Sequence, residues 1–196
     1  MLQTTDALAD HAAWLDQGVS GGNVLDFGRS FTRPDGSAGE VAFRLAFAAL
    51  PDAQAALFAC QIVKALPGGR GALTAHPNGA VAVRKVLAVA DEPSKAASML
   101  APLLATKASG SEAAAELALA NGTLAILPPT RASAACGHDV KPGALRWLGL
   151  VLEVTDLAIV AGILDGASID YIKTEAGICV TPAEGQGATL IFSAAL

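Results

Sequence analysis

Three stretches of the chain carry the same succession of hydrophobic and polar positions. Each opens on a short β-like run ending near an aspartate, passes into an alanine-rich stretch with helical spacing, and closes in several short strand-like runs. In the second stretch Val83–Ala90 reads as a strand, Asp91 as an N-cap and Pro93 as a first-turn residue. Met99, Leu100, Leu103 and Leu104 then recur at helical spacing, and Glu112–Leu119 and Thr123–Leu127 read as strands joined at Asn121-Gly122. In the third, Trp147–Val154 is a strand, and Thr155 or Asp156 caps a helix carrying Leu157, Val160, Ala161 and Leu164. Gly166 ends that helix, and strands follow at Ser168–Ile172, Gly177–Val180 and Ala188–Phe192. The first stretch runs from Leu2–Thr5, capped by Thr5 or Asp6, into a helix over Ala7–Gln17 with Leu8, Ala12 and Leu15 on its apolar face. Its strands fall at Asp26–Thr32, Val41–Ala48 and Ala56–Val63, with turns at Pro34-Asp35-Gly36 and Pro51-Asp52.

Two linkers, Leu66–Gly71 and Pro128–Gly143, divide the chain into residues 1–65, 77–128 and 144–196. The pattern predicts an α+β protein of repeated βαβββ units.

Composition narrows the function classes. Of 196 residues 53% are hydrophobic, yet no apolar run is long enough to span a bilayer, and Trp147–Leu164 is interrupted by Glu153 and Asp156. The first six residues lack a basic segment and an apolar signal core, and Cys60, Cys136 and Cys179 are too scattered for a disulfide framework. A cytoplasmic protein is expected, with no membrane partner. The net charge of −5 and the dispersal of the 13 basic residues argue against nucleic acid.

Several segments resemble bacterial glyoxalase-like domain proteins of the vicinal oxygen chelate superfamily (glyoxalase, bleomycin resistance protein, dioxygenase). These are Arg33-Pro34-Asp35-Gly36, Val41–Phe47, Cys60-Gln61, His76-Pro77-Asn78-Gly79-Ala80, Asp156-Leu157, Gly177–Pro182 and Gly187–Phe192. The resemblance covers nearly the whole chain. It implies curved mixed β-sheets and four βαβββ units, two per module, of which this sequence carries three: residues 77–196 are then expected to form one complete module and residues 1–65 half of another, whose absent unit is expected before Met1.

The resemblance also implies a divalent metal held by His, Glu or Gln from the strands of paired units. The first ligand position, seven residues before the strand-ending aspartate, falls on Arg84 and Gly149. The last-strand position falls near Ala125 or Ile126 and on Ile191. None offers a donor to a hard cation, so the complete module is expected to be metal-free and no cofactor is expected. In the first unit the last-strand position is Cys60 or Gln61, and Gln61 is a possible donor or else a strand residue satisfied by backbone. His76, in a loop, is a candidate for orienting a ligand, and Arg44 for pairing with a carboxylate. A pocket is expected on the concave face of the sheet, with Gln61 close to His76 or Arg44. Arg33 and Arg84, like Arg44, could bind a carboxylate or else are solvated strand residues, while His11 lies on the first helix and His138 in a loop.

Gly18-Val19-Ser20-Gly21-Gly22 has nucleophile-elbow spacing, but a helix precedes it where a strand is needed, so it reads as a turn. Gly68-Gly69-Arg70-Gly71 and Gly185-Gln186-Gly187 fail the dinucleotide spacing.

Two functions follow. One is a glyoxalase-like protein without a complete metal site, binding a small molecule or acting through protein–protein contact. The other is a metal-dependent lyase, isomerase or dioxygenase whose site is completed across a dimer. A homodimer is expected because the first unit lacks a partner unit, while Phe43, Leu45 and Phe47 alternate as on a strand with one apolar face.

Overall fold

The computed structural model describes residues 1–33, 36–65, 75–182 and 187–195. The Pro34-Asp35 turn, the Leu66–Gly71 linker and Gly185-Gln186 lie outside them. The chain divides into two compact units, Met1–Arg70 and Gly71–Leu196.

The first unit is one βαβββ repeat: β1 (Leu2–Thr4), α1 (Ala7–Asp16), β2 (Leu25–Thr32), β3 (Ala38–Phe47) and β4 (Phe58–Lys64). Its sheet has the order β1-β4-β3-β2, with β1 parallel to β4 and the other pairs antiparallel. Asp6 caps α1 by accepting from the N–H groups of Leu8 and Ala9 at 3.1 and 3.0 Å. The helix is rotated from the predicted setting. Ala7 and Trp14 are buried, while Leu8 and Leu15 are more than half exposed. Trp14 carries the largest apolar surface of the helix, and Ala7 lies two turns before it on the same face. That face meets the sheet where Ala46 and Ala59 leave room.

The second unit holds two further repeats joined into one sheet. The first comprises β5 (Ala80–Val89), α2 (Pro93–Leu100), β6 (Ala108–Ser111), β7 (Ala114–Leu119) and β8 (Gly122–Leu127). The other comprises β9 (Arg146–Val154), α4 (Leu157–Gly166), β10 (Ile172–Thr174), β11 (Gly177–Val180) and β12 (Thr189–Ala194). The order β10-β11-β12-β9-β5-β8-β7-β6 repeats the first unit's strand order on either side of the antiparallel β5–β9 pair. Strand β6 lies in a stretch not predicted as a strand, and β10 begins at Ile172, where the predicted strand ended. Asp91 does not cap α2: its carboxylate accepts from the Gly143 N–H at 2.9 Å, and Glu92 takes the cap position.

The largest departure from the sequence reading is in the Pro128–Gly143 linker, which contains a helix, α3 (Pro129–Cys136). Pro129 starts it and Gly137 ends it in the left-handed region at φ 71°. Among the described residues no helix is long and apolar enough to cross a membrane.

Candidate functional site

Register places the side chains of the first unit on two unlike faces. One carries Ala42, Arg44 and Ala46 of β3 beside Ala59 and Gln61 of β4 and Leu2 and Thr4 of β1. Here Gln61 Oε1 accepts from the Ala7 N–H at 3.2 Å, so this face looks toward α1. The other face carries Leu25 and Phe27 of β2, Phe43, Leu45 and Phe47 of β3, and Phe58, Cys60 and Ile62 of β4. Phe27 stacks on Phe43 with centroids 6.1 Å apart, and Phe47 tilts against Phe58 at 5.8 Å. Phe27 remains 49% exposed. In a chain with only six phenylalanines, four meet on this one face.

Of the three candidate residues, Gln61 and Arg44 lie in the first unit and His76 in the second. Gln61 and Arg44 are register partners, but on the face toward α1, and both are engaged. The Gln61 side-chain carbonyl anchors the first turn of the helix. Arg44 pairs with Asp26, Nε to Oδ1 at 2.7 Å, and a second bond joins Nη2 to Oδ2 at 3.1 Å. This hydrogen-bonded fork lowers the Asp26 carboxyl below its ordinary range and raises the guanidinium. His76 belongs to the second unit. It is exposed, and its Nδ1 accepts from the Asn78 N–H at 3.3 Å in the turn leading to β5.

In the second unit the corresponding sheet face is filled. Ala132 and Cys136 of α3, with Val140 beyond it, form one buried cluster with Leu87, Val89, Ala125, Cys179 and Ile191 of β5, β8, β11 and β12. The segment is fastened at several points. The Val140 N–H donates to Ser133 Oγ at 2.9 Å, His138 Nε2 lies 3.1 Å from the buried Thr189 hydroxyl, and Gly137 packs against Ile172. Helices α2 and α4 have their own contacts, with β6, β7 and β8 and with β11 and β12 respectively. Cys136 and Cys179 lie together in this cluster. Burial pushes the Cys136 thiol up to about 12, and the neighbouring Cys179 adds to this. Cys179 is raised by burial, partly offset by Cys136.

The positions where this fold would hold a metal do not fit one. Ala125 and Ile191 are buried and apolar, and Arg84 forms an ion pair with Glu153. Gly149 faces the Thr189 backbone so closely that a Cβ there would lie 2.7 Å from its carbonyl carbon. No donor set for a hard cation is present at these places. Among the described residues no group of three or more His, Cys, Asp or Glu side chains is arranged to hold a metal ion.

Ser20 is no nucleophile elbow. It follows α1, bridges to Ala48, and its Oγ lies 3.3 Å from His11 Nδ1 while donating to the Gly22 carbonyl.

The family model of a glyoxalase-like domain matches residues 1–104, just over half of the sequence. The chain belongs to that family. The structure agrees with its membership of the vicinal oxygen chelate superfamily. The glyoxalase-like chain is similar to a hypothetical protein from Staphylococcus aureus at 10% identity and a TM-score of 0.63, covering 98% of this chain and 64% of that one. It is also similar to the 2,3-dioxygenase LapB from Pseudomonas sp. KL28, at 9% identity and a TM-score of 0.55, covering 100% and 69%. The Mn(II)-bound glyoxalase from Novosphingobium aromaticivorans matches at 14% identity and a TM-score of 0.52, covering 96% and 58%. The chain thus spans 64% of the length of the Staphylococcus protein and 58% of that of the glyoxalase. At these identities the likeness is one of fold. No curated protein matches the sequence.

The sequence held a signal for the aromatic face in the alternation of Phe43, Leu45 and Phe47, which Phe27 and Phe58 extend across the sheet. Helix α3 was signalled by Pro129, Gly137 and the four-residue spacing of Ala132 and Cys136. The contact between Cys136 and Cys179 had no local signal.

Proposed function

We propose that this glyoxalase-like chain binds a small apolar, ring-containing molecule on the phenylalanine face of its first unit, and that its second unit performs no divalent-metal chemistry. The observation that carries the reading is the contrast between equivalent sheet faces. In the first unit the Phe27–Phe43 stack is accessible, whereas in the second unit the matching surface is packed under α3. Aromatic side chains offer a flat, apolar surface that favours offset stacking with another ring. Arg29, two positions from Phe27 on β2, shares this face, and the reading is one of binding.

Titration with an anilinonaphthalene sulfonate dye tests this by fluorescence. Binding should be saturable, and Phe27→Ala should weaken it about tenfold, the loss of one stacking contact. Equal affinity in Phe27→Ala and Phe43→Ala variants that remain folded would rule the face out. Elemental analysis tests the metal half of the reading. The purified protein should hold no stoichiometric divalent ion, and about one Mn, Fe, Ni or Zn per chain would overturn it.

A further inference from the structure

Cys136 sits at the C-terminal end of α3 and Cys179 in the middle of β11, 43 positions apart in sequence, so their meeting is a product of the fold. Both are fully buried and belong to the same apolar cluster. A second contact fixes the same approach. Gly137, next to Cys136, packs on Ile172, and Ile172 is the ladder partner of Cys179. The two sulfurs are also the only chemically reactive groups in a cluster otherwise made of hydrocarbon. A packing role would be met by alanine or valine at either place.

We propose that Cys136 and Cys179 are a redox-active pair whose oxidation to a disulfide fastens α3 over the face of the second unit's sheet. The co-reactant is a peroxide. When α3 lifts, the Cys179 thiolate attacks one peroxide oxygen, the O–O bond breaks, and a sulfenic acid and one water form. The Cys136 thiolate then displaces the sulfenic oxygen, which leaves as a second water, and the S–S bond is made. Two thiols and one hydrogen peroxide give one disulfide and two waters. In the closed state both thiols are protonated and shielded, so oxidation requires the helix to open and the product then prevents opening.

The full-length chain, reduced and then exposed to hydrogen peroxide, provides the test. Peptide mapping should find Cys136 joined to Cys179 with the loss of two hydrogen atoms, and amide exchange over α3 should slow about tenfold. A Cys60→Ser chain should behave identically, and a Cys179→Ser chain should show no slowing. The proposal is overturned if both cysteines can still be alkylated in denaturant after peroxide treatment. It also fails if the crosslink forms while exchange over α3 is unchanged. Because the mapping uses the unsubstituted chain, a folding defect in either variant leaves the decision intact.

Discussion

Gly149→Ala should destabilise the second unit by about 3 kcal/mol. Gly149 lies on β9 at the heart of the sheet, opposite Thr189 of β12 and Leu87 of β5. A methyl group there would meet the Thr189 carbonyl carbon at 2.7 Å and its Cα at 3.0 Å. These are backbone atoms held by strands on both sides, and no rotamer change relieves them. The cost therefore falls on the β9–β12 ladder or on displacement of β9 itself. Urea unfolding followed by circular dichroism measures it. A transition midpoint equal to that of the unsubstituted chain would show that the strands part easily, and the close packing assigned to this position would be wrong. The same collision explains why the position cannot be returned to metal binding by one substitution: histidine carries the same Cβ.

The second large effect concerns assembly. We propose that the first unit also forms a homodimer through its phenylalanine face, so that a second copy and the ring-containing ligand compete for one surface; its single-repeat architecture favours such pairing. In the second unit two repeats cover each other's edges through β5 and β9, while β1 pairs with β4 alone among the described strands. Light scattering at micromolar concentration should then give about twice the chain mass of 19.6 kDa. Phe43→Asp places a charge against the Phe27 ring and should return the mass to that of one chain, or precipitate it. A mass of one chain for the unsubstituted protein would end this reading, as would a well-folded dimer carrying aspartate at both Phe43 and Phe47.

Much of the architecture was legible because it depends on local chemistry. The repeats announced themselves through strand-ending aspartates, helical spacing and β-branched runs, and Val160 and Leu164 face the core of the third repeat as their spacing predicted. The rotation of α1 was not legible from hydrophobicity alone. Leu8, Ala12 and Leu15 make a plausible stripe, but Trp14 and the Gln61 bond to Ala7 decide which side meets the sheet. Asp91 illustrates the same limit: its capping propensity is outweighed by a partner 52 residues away at Gly143. Candidate site residues fared differently for a related reason. Gln61 and Arg44 were singled out as polar groups on strands, and strand parity puts both on the helix side, where Ala7 and Asp26 engage them. Shifting attention by one position along β4, to Cys60, reaches the phenylalanine face.

The strand order has a bearing on synthesis. Strand β12 follows every other described strand in the chain, yet it is an interior strand, lying between β9 and β11. Until Thr189–Ala194 leave the ribosome, β9 has a neighbour on one side only and β11 lacks its link to the central sheet. The nascent second unit therefore carries an unpaired hydrophobic edge along Gly149–Val154 until Thr189–Ala194 emerge. A pause in synthesis before Thr189 would lengthen that exposure, and this is the interval in which a chaperone has most to protect.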